Sequence, residues 1–191
     1  RTPRQVALMR VRHEIEQSIH DFFYARGFIH IDTPILTDAI GERSGLFETE
    51  YFDLGKAYLA QTGQLYGEAA AAALGRIYTF GPTFRAEKSK TRRHLAEFWM
   101  IEPEMAFYDQ DDNMRLQEEF VSYLVARAVE RRGAELAVLE RDVSKLANVS
   151  PPFPRIEYGD AIAMLQHKGS AITWGDDLGA EDESLLVEGY D

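Results

Sequence analysis

Apolar positions along Arg4–Arg26 fall on one stripe: Leu8, Val11, Ile15, Ile19 and Phe22 lie at i, i+3, i+7, i+11 and i+14. That spacing predicts an amphipathic helix, with Thr2-Pro3 at its start and Gly27 at its stop. Phe28–Asp32 reads as a short strand halted near Pro34, and Tyr58–Gln61 as another. Gln64–Leu74 is alanine-rich and helical, ending at Gly75. Arg76–Glu87 and Ala96–Phe107 are strand-like runs joined by the polar stretch Lys88–Leu95, which is long for a hairpin. Asp111–Arg132 has helical period, with Leu116, Phe120, Tyr123, Leu124 and Val129 as buried candidates and Asp111 or Asp112 as cap. Ser150–Pro154 (SPPFP) is a rigid connector before a strand at Arg155–Tyr158 and a short helix at Asp160–His167 closed by Gly169. The sum is an α+β arrangement, a mostly antiparallel sheet flanked by helices.

Alternation along the two central strands sorts their side chains by face. Thr83, Arg85 and Glu87 share one face of the first, and Phe98, Met100, Glu102 and Glu104 one face of the second. Glu97, Trp99, Ile101, Met105 and Phe107 take the other face, the better core face. An arginine, several carboxylates and a ring make a poor core and a good floor for a polar ligand: arginine forks onto phosphate, carboxylates take an ammonium, the ring stacks on a base. A solvated face with an Arg–Glu cross-strand pair is the plain alternative.

Composition narrows the classes. The chain has 191 residues, no cysteine and a formal net charge of −11. Disulfides and thiolate zinc sites are excluded. No apolar run is long enough to span a membrane, and the expected location is cytoplasmic. The net charge argues against wrapping nucleic acid over the whole surface. It leaves room for one local contact, because Arg85, Lys88, Lys90, Arg92 and Arg93 cluster in nine positions while the acid gathers in Ala171–Asp191.

The stretch FRAEKSKTRRHLAEF (Phe84–Phe98) resembles motif 2 of class II aminoacyl-tRNA synthetases, and RGFIHIDTPIL (Arg26–Leu36) resembles motif 1. FGPTFRAE with RHLAEFWMIEPEMAF is most similar to the asparaginyl type within the aspartyl/asparaginyl/lysyl branch, and PFPRIEYGDAIAML…WGDDLG is also similar to that family. The resemblance implies that residues 1–191 are part of the catalytic domain, with motif 1 near 26–36 and motif 2 near 83–104. Motif 3, the acidic Mg²⁺ ligands (expected after Asp191) and the N-terminal anticodon-binding barrel are not in this chain.

Site roles follow from the resemblance. Arg85 is implied as the catalytic arginine holding the ATP α-phosphate and the amino-acid carboxylate. Glu87, Arg93, His94, Leu95 and Phe98 complete an ATP set, with Phe98 stacking on adenine. Glu42, Gln64, Glu102 and Glu104 are implied at the amino acid, Lys88, Lys90 and Arg92 at the tRNA acceptor end, and Pro34 at a homodimer interface. The implied reaction joins L-asparagine to tRNA(Asn) through an adenylate, using ATP and Mg²⁺. Aspartate-specific relatives carry a lysine three residues after the glutamine, where this chain has Gly67. Its absence suits a neutral amide. An aspartyl-tRNA synthetase, a related ATP-dependent asparagine synthetase and a non-catalytic binding paralogue stay open as alternatives.

Overall fold

The computed structural model describes residues 2–88 and 94–188. They divide into two compact units, residues 12–117 and residues 1–11 with 118–191. The helices α1 (Pro3–Ala25) and α3 (Gln110–Val138) each run from one unit into the other.

The unit of residues 12–117 is built on two three-stranded sheets. In the first, β5 (Arg76–Phe84) lies between β1 (Ile29–His30), parallel to it, and β6 (Glu97–Met105), antiparallel to it. The expected strand Phe28–Asp32 thus shrinks to two residues, because the chain turns away beside β5 into Asp32-Thr33-Pro34. In the second sheet, β4 (Lys56–Leu59) lies between β2 (Leu36–Thr37) and β3 (Glu48–Glu50), antiparallel to both. The expected strand Tyr58–Gln61 is shifted back: Gln61 leaves the sheet to bind the loop before it.

The two sheets are joined through Ala60. Its N–H donates to the Ile35 carbonyl (2.8 Å) and its carbonyl accepts from Phe84 N–H (2.8 Å). That junction carries Gln61, Thr62 and Gly63 alongside β5 and leads into α2 (Gln64–Leu74), whose bounds match those expected. Helix α2 packs on β5 and β6. The approach is close: a Cβ at Gly67 would stand 3.3 Å from Glu104 Cγ and 3.4 Å from Ile77 Cδ1.

The opposite face of β5 packs on α1 within this unit. Phe23 stacks on Tyr78 at 4.7 Å, and Phe22 and Phe28 meet Phe23 edge-on. Phe22, Phe23 and Ile77 are fully buried. Tyr78 is buried too, and its hydroxyl is paired with His20 Nδ1 at 2.8 Å, so the polar tip is satisfied.

Two expectations about faces are corrected here. On α1, Ile19 and Phe22 are buried as expected, but Leu8 is half exposed, and Ala7, Glu14, Ser18 and Phe23 are buried instead. Ser18 is tolerated there because its hydroxyl donates to the Glu14 carbonyl (2.6 Å). On β6, the supposed core face is only partly covered: Trp99 is half exposed and Phe107 fully so. The sheet is covered on both sides, by α1 and by α2, so alternation does not split it into one wet and one dry face.

In the remaining unit, α3 extends past the expected Arg132, where the backbone departs from helical angles (φ −128°, ψ 25°). Its start lies in the unit of residues 12–117 and is capped by Asp109, not Asp111 or Asp112: Asp112 N–H donates to Asp109 Oδ1 (2.9 Å), and Asp109 N–H donates back to Asp112 Oδ2 (3.2 Å). This is a reciprocal capping box. Arg155–Tyr158 forms no strand; Arg155 Nε donates to Glu118 Oε1 (2.9 Å), and α5 begins at Tyr158 (Tyr158–His167). Two short helices went unanticipated, α4 (Val143–Ala147) and α6 (Ala180–Val187). Helix α6 is polar on most of its surface, but Leu185 and Leu186 pack against Ile162, Leu165 and Ile172.

Candidate active site

The β5–β6 register places Thr83 opposite Phe98, Thr79 opposite Glu102 and Ile77 opposite Glu104. These residues therefore share one face, as alternation requires. Helix α2 covers the Glu104 end of that face and leaves the Arg85 end open.

At the open end, Arg85, Glu87, His94, Leu95 and Phe98 line a cavity of about 280 Å³. Arg85 N–H bonds to the Ala96 carbonyl (3.0 Å), which keeps the two strands registered just beyond the last ladder pair. The Arg85 guanidinium stands 5.7 Å from the centroid of the Phe98 ring, within cation–π reach. Arg85 and Glu87 are exposed, so their heads are available to a ligand. Lys88 is exposed. Lys90, Arg92 and Arg93 lie outside the described residues.

A second cavity of about 250 Å³ runs beside β5 and is lined among others by Thr33, Pro34, Thr62, Gly63, Thr79 and Glu102. Glu102 is held from three sides. Its Oε1 accepts a hydrogen bond from Thr62 Oγ1, and its Oε2 accepts from Gly63 N–H (2.9 Å) and Thr79 Oγ1 (3.0 Å). Thr62 Oγ1 in turn accepts Gln64 N–H (3.0 Å). Glu102 and Thr62 thus satisfy two of the backbone N–H groups at the start of α2, whose first residues carry no side-chain cap of their own.

The other expected amino-acid residues are placed differently. Glu104 is packed under α2. Burial first, then the like charges of Glu68 and Glu102, raise its carboxyl above the ordinary 4.5. The folded state therefore keeps this proton to higher pH than the unfolded chain does. Its contribution to stability falls as pH rises from the unfolded value through the folded one, and then levels off. Glu104→Gln is expected to raise the denaturation midpoint relative to the parent, by a margin that grows with pH across that window. A margin that is constant with pH would show that Glu104 ionises freely.

Gln64 is exposed, and its Nε2 donates to Glu68 Oε1 one turn on (2.9 Å). Glu42 is exposed on a loop and lines neither cavity. That loop is tied at both ends of residues 42–45. Gln61 Oε1 accepts Glu42 N–H (3.1 Å), Gln61 Nε2 donates to the Ser44 carbonyl (2.7 Å), and Ala86 N–H donates to the Gly45 carbonyl (2.8 Å). Gly45 sits at φ +66°, and a Cβ there would stand 3.2 Å from Glu87 Oε1. The loop thereby borders the Arg85 cavity at Glu87.

Gln61, Thr62, Gly63 and Thr79 went unsingled by sequence reasoning. A run of Gln-Thr-Gly-Gln before a helix does signal an N-terminus, but nothing in it names Glu102 as its partner. Among the described residues no three His, Asp or Glu side chains converge on a metal position, so the Mg²⁺ of the resemblance has no donor set on them. No helix among them is long and apolar enough to cross a membrane.

Residues 1–189 match the family model for class II tRNA synthetases (D, K and N). Among curated proteins, the chain is 55% identical over 198 residues to an asparagine–tRNA ligase of Chloroflexus aurantiacus, covering all of this chain and 45% of that protein. It is 56% identical over 191 residues to one from Pelotomaculum thermopropionicum, covering 44% of it. The chain thus spans less than half the length of these relatives. Among solved structures, asparaginyl-tRNA synthetase of Pyrococcus horikoshii complexed with asparaginyl-adenylate superposes with a TM-score of 0.93 at 44% identity, over 98% of this chain and 43% of that one.

Proposed function

The chain belongs to the class II tRNA synthetases of the D, K and N group, and from that we propose that the protein is an asparagine–tRNA ligase. It activates L-asparagine with ATP to asparaginyl-adenylate and pyrophosphate, then transfers the asparaginyl group to tRNA(Asn). The observation that carries the reading is the cavity at the open end of β5 and β6, where five residues of the ATP set of motif 2 line one space.

In the first step the asparagine carboxylate attacks the α-phosphorus of ATP, and the bond to the pyrophosphate oxygen breaks. Negative charge builds on the α-phosphate oxygens. The Arg85 guanidinium, held beside the Phe98 ring, offers forked donors to those oxygens and to the incoming carboxylate. Phe98 offers its face to adenine and Glu87 its carboxylate to the adenine amino group. No protein nucleophile is needed, because positioning and charge neutralisation suffice. Mg²⁺, which the family implies with ATP, would add charge neutralisation at the phosphates, and what this chain's described residues supply is Arg85.

Asparagine is favoured over aspartate at Gly67. A Cβ there would stand 3.3 Å from Glu104 Cγ, so the close helix–sheet contact suits glycine and offers no cation to a side-chain carboxylate. Glu102 meets the amino acid with an acceptor, which suits an N–H donor and repels a carboxylate. Pro34, exposed at the turn after β1, belongs to a homodimer interface, and Lys88 to the tRNA acceptor contact. The location is the cytoplasm.

The test is amino-acid-dependent ATP–pyrophosphate exchange by the full chain. Exchange with asparagine well above that with aspartate is expected; equal or faster exchange with aspartate overturns the specificity, and none with either overturns the reading.

A further inference from the structure

Three donors converge on the two oxygens of Glu102, more than the end of α2 requires. Oε2 takes Gly63 N–H and Thr79 O–H, which fills both of its acceptor positions. Oε1 takes only Thr62 O–H. The Thr62 hydroxyl is oriented because it accepts Gln64 N–H and so must give its own proton to Glu102. A carboxylate needed solely to cap α2 would be complete with Gly63 and Thr62. Thr79 brings a further donor from β5, directly across the ladder from Glu102, and Thr79 itself is buried. All four residues line the cavity beside β5.

Resting on the reading above, we propose that Thr79 is a positioning residue for amino-acid recognition. With Thr62 and Gly63 it locks the Glu102 carboxylate in one orientation, so that a single lone pair of Oε1 remains for one N–H of the bound amino acid. Freezing the carboxylate before the substrate arrives removes an ordering cost from binding. It also restricts what is read: one acceptor at one place, facing a donor. Thr79 acts on recognition by holding Glu102.

Losing the Thr79 donor releases Oε2, and the carboxylate then turns among several orientations. The interaction acts on bound asparagine before and during reaction alike, so its loss appears in KM and not in kcat. Thr79→Val keeps the shape and removes the hydroxyl; Thr79→Ser keeps the hydroxyl. In the full enzyme, Thr79→Val is expected to raise KM for asparagine about tenfold, the size of one charged hydrogen bond. KM for ATP should stay at the wild-type value, since Thr79 does not line the Arg85 cavity. Thr79→Ser should restore KM for asparagine. An unchanged KM in Thr79→Val overturns the proposal, as does a Thr79→Ser enzyme as impaired as Thr79→Val, or an equal rise in KM for ATP. Should Thr79→Val not fold, Thr79→Ala against Thr79→Ser makes the same comparison. Wild-type enzyme without asparagine-dependent exchange overturns both readings, whereas the variants alone decide this one.

Discussion

Arg85→Ala is expected to lower asparagine-dependent ATP–pyrophosphate exchange by about a thousandfold, as removal of one preorganised charge-stabilising group does elsewhere. Arg85→Lys should recover only part of that loss. Lysine restores the charge but not the planar fork that spans two oxygens, and it stacks poorly on Phe98. The side chain is exposed, so both variants should unfold within about 0.5 kcal/mol of the parent. That separates a catalytic loss from a folding loss. Single-turnover measurement of adenylate formation should carry the whole defect. An Arg85→Ala enzyme within about threefold of wild type would remove Arg85 from the reaction.

The second large effect is expected from Gly63→Ala. Glycine is required here by close approach, not by backbone angles: φ −89° and ψ −4° are open to any residue. A Cβ at this position would stand 2.8 Å from Thr79 Oγ1, 3.0 Å from Thr33 Oγ1 and 3.1 Å from Thr79 Cβ. Thr79 Oγ1 and Gly63 N–H are both hydrogen-bonded to Glu102. Relief of the clash therefore breaks something whichever way it goes. If Thr79 rotates, Glu102 loses its β5 donor; if the start of α2 lifts, it loses the Gly63 donor. Overpacking of this kind costs about 1–3 kcal/mol, read as a lowered urea midpoint at unchanged slope. KM for asparagine should rise in the same variant. Combined with Thr79→Ala, the effect should be less than additive, because the principal clash partner is then gone. Wild-type midpoint and KM in Gly63→Ala would show that α2 does not approach β5 this closely.

Much of the site was legible where side-chain period carries the message. The bounds of α2 followed from its alanine run and Gly75, and the period-2 pattern of β5 and β6 put Thr83 and Phe98 on one face; β5 ends at Phe84, short of the expected Glu87, so Arg85 and Glu87 lie just beyond the strand. Two short strands escaped. Leu36–Thr37 and Glu48–Glu50 hold two and three residues, too few for any period, and exist because β4 offers them edges. Helix α6 escaped because four of its eight residues are acidic or serine, while its burial rests on Leu185 and Leu186.

The sequence by itself determined the family, the α+β class, the central hairpin and the placing of Arg85 and Phe98 beside one another. These are local properties, set by residue type and spacing along one strand pair. Only the tertiary structure decided what the acidic side chains do. Two glutamates two residues apart on one strand face are alike to any periodicity argument. The descent of α2 onto β6 separates them: Glu104 goes beneath the helix against Gly67, where its charge is disfavoured, while Glu102 meets the Gly63 N–H and the Thr62 and Thr79 hydroxyls. Their difference is one of solvation and hydrogen-bond donors, supplied by residues some 23 to 40 positions away in the chain.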